Sequence, residues 1–120
     1  MRAVLRGLHS PDVPDLATFT PENPACFAFL LQMLAGPEDG EGEESFDVVV
    51  ATPSWIEQQL REQPFVVGRH HLFCGRYDYR ELVAAVESLL SQCEGTSWDD
   101  VALKLGRFGM WEFEDYEDDR

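Results

Sequence analysis

Positive charge is what this sequence has least of. Nine Lys and Arg face twenty-three Asp and Glu across 120 residues, a formal net charge of −14. Affinity for a nucleic-acid backbone comes from Lys and Arg neutralising phosphates, so direct nucleic-acid binding is disfavoured as a role. A cationic partner is favoured instead, because a negative field speeds encounter with positive surfaces. Acidity that serves only solubility or salt tolerance is the plainer alternative. Cysteine is scarce too. Cys26, Cys74 and Cys93 are an odd set without CxxC spacing. They exclude a disulfide framework and read as free, mostly buried thiols in a reducing compartment. No apolar run approaches the roughly 18–20 residues that span a membrane. The opening Met1 to Arg6 turns polar too quickly for a secretory signal. The expectation is a soluble, cytoplasmic chain with no membrane partner. A Gly-rich phosphate loop is also missing: Gly36 to Glu44 carries five acids, which would repel phosphate.

What is present is enough apolar material for one core. Hydrophobic residues make up 44% of the chain and aromatics 12%, so global disorder is excluded and residues 1–120 read as a single domain with an acidic tail at 117–120. Residues 2–9 read as a strand. Residues 10–25 hold Pro11, Pro14, Pro21 and Pro24, and proline at that density gives an extended, ordered loop. Residues 26–35 suit helix or strand by periodicity; the alternation of Phe27, Phe29, Leu31 and Met33 favours strand. Phe46 to Ala51 is a β-branched strand, joined to the previous one by the acidic loop as a hairpin.

Thr52-Pro53 opens a helix to about Arg61, with Thr as N-cap and Pro at the first helical position. Residues 65–74 read as a further strand, with Gly68 at a bulge. Asp78-Tyr79-Arg80-Glu81 is a capping box before a helix whose stripe is Leu82, Val86, Leu89, Leu90 and Cys93. Ser97 caps a shorter helix with Asp99 and Asp100 in its first turn and Trp98, Val101, Ala102 and Leu105 inward. The order predicts an α+β fold: an antiparallel sheet of about four strands, two or three helices on one face, and room for a terminal strand.

Candidate chemistry is thin. His70 and His71 are adjacent, so on a strand they point to opposite faces. His70 and Cys74 share a face, but a zinc site needs further ligands that the sequence does not offer. A Cys74–histidine nucleophile lacks any supporting context; a buried thiol is the plainer reading. Asp47 stands on a strand without an obvious carboxylate partner for acid–base work. A small hydrolase or metal-dependent enzyme using His70, His71, Cys74 or Asp47 is therefore the alternative reading, with an acidic adaptor as a third. No catalytic residue, cofactor or metal is assigned.

Two acidic stretches carry the interaction reading. The first is the hairpin tip, with Glu38, Asp39, Glu41, Glu43 and Glu44. The second follows Gly106 and Gly109, where Trp111, Phe113 and Tyr116 interleave with Glu112, Glu114 and Asp115. Strand alternation would put Trp111, Phe113 and Asp115 on one face. Aromatics anchor interfaces in desolvated pockets, and carboxylates pair with a cationic partner. The bland reading is a solvated loop and a pair of aromatics covering a sheet edge.

The order and spacing of several pieces resemble the immunity protein 8 family, small bacterial proteins encoded beside polymorphic toxins. The pieces are Gly7-Leu8-His9-Ser10-Pro11-Asp12, the run from Phe46 to Trp55, Tyr77-Asp78-Tyr79, and Gly95 through Tyr116 with its Trp-Glu-Phe-Glu-Asp-Tyr ending. Only Glu117 to Arg120 lie beyond them. The resemblance implies a non-enzymatic inhibitor that binds a cognate toxin domain. Many such toxins are nucleases with basic clefts, which an acidic face would occlude. It supplies no residue-level map, so the contact residues are expected on chemical grounds alone. Whether the two acidic stretches share one face, and the oligomeric state, are left open by the sequence.

Overall fold

The computed structural model describes residues 1–114. Its elements run β1 (Ala3–His9), β2 (Ala28–Pro37), β3 (Glu44–Ala51), α1 (Pro53–Glu62), β4 (His71–Phe73), α2 (Tyr79–Ser91), α3 (Trp98–Leu105) and β5 (Met110–Trp111). The fold is α+β, as the element order predicts. The strands lie in the order β1-β2-β3-β4, and β5 also pairs with β3. All pairings are antiparallel except β3–β4, which is parallel. The sheet is therefore mixed. The cause is α1, which carries the chain from the end of β3 back to start β4 in the same direction.

Alternation along β2 and β3 sorts the sheet into two faces. Phe29, Leu31, Met33 and Ala35 are buried on one face together with Phe46, Val48 and Val50. Their intervening neighbours are only half-buried. The buried face packs against Leu82, Val86 and Leu90 of α2 and Val101, Ala102 and Leu105 of α3. A fully buried side chain of this size contributes about 1.5–3 kcal/mol. Leu72 of β4 joins this core, whereas His71 and Phe73 point the other way and stack at 5.7 Å. Trp55 of α1 lies 6.3 Å from the His71 ring. Hence α1 sits on the face opposite α2 and α3, and it buries no residue fully.

The caps divide between expectation and correction. Asp78 accepts from the Glu81 N–H at 3.0 Å, and Ser97 Oγ accepts from the Asp100 N–H at 3.2 Å. Glu81 does not reach back to complete a box; its carboxylate lies 3.6 Å from Arg76. Thr52 stands at the N-cap of α1 but makes no side-chain cap bond. It is buried, and its Oγ1 accepts from the Phe27 N–H at 3.2 Å, tying the start of β2 to the end of β3.

The proline-rich loop is ordered by its own polar side chains. Ser10 Oγ accepts from the Asp12 and Val13 N–H groups at 3.1 and 3.2 Å. Asp12 then accepts from the Leu30 N–H at 2.8 Å, where β1 has already left β2. Val13 and Leu16 enter the core. Phe19 packs edge-on against Phe27, Phe29 and Tyr77. The Tyr77 hydroxyl donates to the Leu16 carbonyl at 2.6 Å. Burial, helped by nearby Tyr79, Asp15, Asp78 and Cys74, pushes its pKa up to about 12.

Candidate functional site

The second edge of β3 is shared. Its first half takes β5 antiparallel, with Phe46 opposite Trp111 and Asp47 opposite Met110. Its last half takes β4 parallel, with Val49 opposite His71 and Ala51 opposite Phe73. Gly109 permits the close approach of β5. A Cβ there would lie 2.7 Å from Met33 Cε and 3.1 Å from Phe46 Cβ.

Where the two short strands part, Arg69, His70 and Gly106 fill the fork. His70 has a left-handed backbone, φ 67°, a conformation that costs a non-glycine residue about 1–2 kcal/mol. Its Nε2 lies 2.8 Å from the Gly106 carbonyl. Arg69 Nε lies 3.0 Å from the same nitrogen, so the tautomer of His70 sets whether Nε2 donates to the carbonyl or accepts from the guanidinium. Arg69 Nη2 donates to Gly106 O at 3.2 Å and to Glu114 at 2.6 Å.

Beside the fork opens a cleft of about 720 Å³, lined by Glu44, Arg69, Asp99, Leu103, Gly106, Trp111, Phe113 and Glu114. The hairpin and the terminal stretch therefore meet. Glu44 is the join: one of its carboxylate oxygens accepts from the indole N–H of both Trp98 and Trp111. Phe46 lies beneath, stacked on Trp111 and edge-on to Trp98. Glu41 and Glu43 line an adjoining depression with Glu44 and Trp98. Asp39 is exposed at the tip. Glu38 belongs elsewhere, beside Arg2 and Ala3 at the β1 edge.

Several expected contact residues are already engaged within the chain. Glu112 accepts from the Ser45 N–H at 2.9 Å, and its own N–H donates to Ser45 O at 3.1 Å. Glu114 is paired with Arg69. The expected alternation beyond Trp111 gives way to a turn, closed by the Glu114 N–H donating to Trp111 O at 2.9 Å. Phe113 packs edge-on against Trp111. Asp115 and Tyr116 lie outside the described residues.

Sequence reading missed Asp99 and Leu103 as site residues. They stand four apart on the outer side of α3, away from Val101, Ala102 and Leu105, so helical periodicity alone could have placed them together. Leu103 is 64% exposed and offers apolar surface whose burial against a partner would be favourable. Arg69 had no readable signal, because its role depends on the fork.

The enzymatic candidates are dispersed. His70 turns to Gly106 and His71 to Trp55 and Phe73. Cys74 lines a separate cavity of about 260 Å³ with Tyr77 and Leu82, and burial pushes its thiol pKa up. Among the described residues no group of three or more His, Cys, Asp or Glu could hold a metal, and no helix is long and apolar enough to cross a membrane. Asp47 faces away from the core. Its carboxyl is held above the usual range, first by burial and then by nearby Glu112, against a hydrogen bond from Gln32. Among the described residues its Oδ1 is buried without a partner.

A family model described as Immunity protein 8 matches residues 3–116. No curated protein and no solved structure matches the chain.

Proposed function

The chain belongs to the immunity protein 8 family, and from that premise we propose that it neutralises a cognate toxin by docking the cleft at the β4–β5 fork onto a basic surface of the toxin. The observation that carries this reading is the convergence of Glu44, Trp111, Phe113 and Glu114 with Asp99 and Leu103 in one cleft, on a chain of formal charge −14. A nuclease fits as the target, since its substrate groove is basic and carboxylates can stand where phosphates would lie.

The engaged acids and the exposed ones have different tasks. Glu44, Glu112 and Glu114 hold the aromatic floor in place through their internal bonds. Asp39, Glu41, Glu43 and Asp99 are exposed and supply the steering field. Such a field raises association to about 10⁸–10⁹ M⁻¹s⁻¹ at low salt. Phe113, 38% exposed, and the half-buried Trp111 supply the apolar anchor that slows dissociation.

The test reverses only exposed acids that make no bond to the described residues. A triple variant E41K/E43K/D99K is mixed with the C-terminal domain of the toxin encoded beside this chain. Association should slow about tenfold or more at low salt, the salt dependence should flatten, and the melting temperature should fall only slightly, because D99K gives up a favourable contact with the α3 dipole. Wild-type association rate and salt slope in the variant would remove the electrostatic mechanism.

A further inference from the structure

The stretch between α1 and β4 is strand-like in composition, yet no strand among the described residues pairs with it. Phe65 is 88% exposed and Val67 80%, while Val66 between them is half-buried. That is the period of two of an extended segment with an outward apolar face. Among the described residues, no hydrogen bond is made by the backbone of Phe65, Val66 or Val67. Both ends are fastened. The Gln63 N–H donates to Gln59 O at 3.0 Å. The Gly68 carbonyl lies 2.9 Å from His71 Nδ1, and the Val49 N–H donates to His70 O at 2.9 Å.

The fold explains why the segment is unpaired. Val49 faces His71 in the parallel register. Carrying that register back three residues would set Gly68 opposite Phe46, and Arg69 opposite Asp47. Those two positions of β3 are taken by Trp111 and Met110 of β5. Thus β5 shuts the preceding residues out of the sheet and leaves a β-prone, apolar, hydrogen-bond-ready segment in water. Burying two such side chains would contribute about 1.5–3 kcal/mol each. Exposed apolar surface with free backbone donors and acceptors is a template for strand addition.

We propose that Phe65–Gly68 is a second docking element, which adds as a strand to an edge of the toxin while Phe65 and Val67 enter apolar pockets beside that edge. Charge selects this occupant. A second copy would bring another formal −14 to the contact, whereas a basic partner gains from it. Position agrees: the segment runs directly into Arg69, which lines the acidic cleft, so one partner can cover both. The inference rests on the toxin-binding reading above.

Hydrogen exchange and one variant test it. With the toxin domain encoded beside this chain, the amides of residues 65–68 should exchange freely in the unbound protein and become protected in the complex. The double variant F65S/V67S, altered only at exposed positions, should melt as the wild type does and bind roughly 30-fold or more weaker. Its loss should lie in dissociation, with the salt slope unchanged, unlike the charge-reversed triple variant. A complex that leaves these amides unprotected and binds F65S/V67S at wild-type affinity would overturn this inference and leave the proposed function standing. Failure of the wild type to bind the domain would overturn both. Concentration-dependent self-association of the wild type alone, abolished by F65S/V67S, would identify a second copy as the occupant and overturn the assignment to the toxin.

Discussion

The two edges of β3 are used in opposite ways. Along one, β2 pairs residue for residue from Ala28 opposite Ala51 to Ala35 opposite Glu44. Along the other, two short strands of opposite direction divide the same length and leave a fork. The continuous edge spends its hydrogen bonds on regular structure and offers nothing to a partner. The divided edge leaves a strained histidine, a cleft with an acid–aromatic lining, and a displaced apolar segment. Irregular pairing is thus where this fold keeps its recognition chemistry, supported by a regular half that holds the shape.

The largest expected effect tests whether the two edges are energetically one unit. Phe46 is fully buried where they meet, between Trp98 and Trp111. Phe46→Ala should cost about 3–5 kcal/mol, read from denaturant melts followed by far-UV circular dichroism and by tryptophan emission. The two probes should report coincident transitions. Separate transitions, with the tryptophans moving first, would mean that the fork unfolds independently of the continuous sheet.

A smaller effect should follow from loosening the divided edge alone. Glu44→Ala removes the acceptor shared by the Trp98 and Trp111 indoles. Leaving two half-buried donors without it should cost about 1–3 kcal/mol and shift tryptophan emission to the red. Glu44→Gln keeps one carbonyl acceptor and should recover part of the loss. Equal stability of all three proteins would show that water serves the indoles as well as the carboxylate does, and that the join between hairpin and terminus is not structural.

The same division explains what could be read from the residues. Every element along the continuous edge was legible, because Phe29, Leu31 and Met33 alternate against Phe46, Val48 and Val50, and local pattern coincides with tertiary burial. The α2 and α3 starts were legible from Asp78 and Ser97, whose caps are local chemistry. The strand expected over residues 65–74 shrank to His71–Phe73. Its propensity was sound, but β5, some forty residues later in the chain, holds the edge it would need; competition between distant segments leaves no mark on local pattern. The acidic and aromatic residues of the cleft were visible as types. Their division into acids that brace the floor and acids that face solvent depends on distances such as the 2.9 Å from Ser45 N to Glu112.

The smallest effect concerns Asp47, on the face of the sheet turned away from α2 and α3. Asp47 stands opposite Gln32 on β2 and Met110 on β5. Its Oδ1 is buried without a partner among the described residues, and its pKa is raised above 3.8, chiefly by burial. The sign follows from that direction. A group whose folded pKa exceeds its unfolded value leaves stability intact below the unfolded pKa and removes it as pH rises through the folded one. Ionised Asp47 is therefore a cost at neutral pH. Asp47→Asn should stabilise the protein at pH 7 by about 0.5 kcal/mol, a modest gain because the residue is only half-buried and solvent screens its charge. The advantage should shrink as pH falls towards the unfolded carboxyl's 3.8. Paired denaturant melts at the two pH values decide the matter. A variant less stable than the wild type at pH 7 would mean that the hydrogen bond from Gln32 outweighs the cost of burying the carboxylate, and that the divided edge is as fully bonded there as the continuous one.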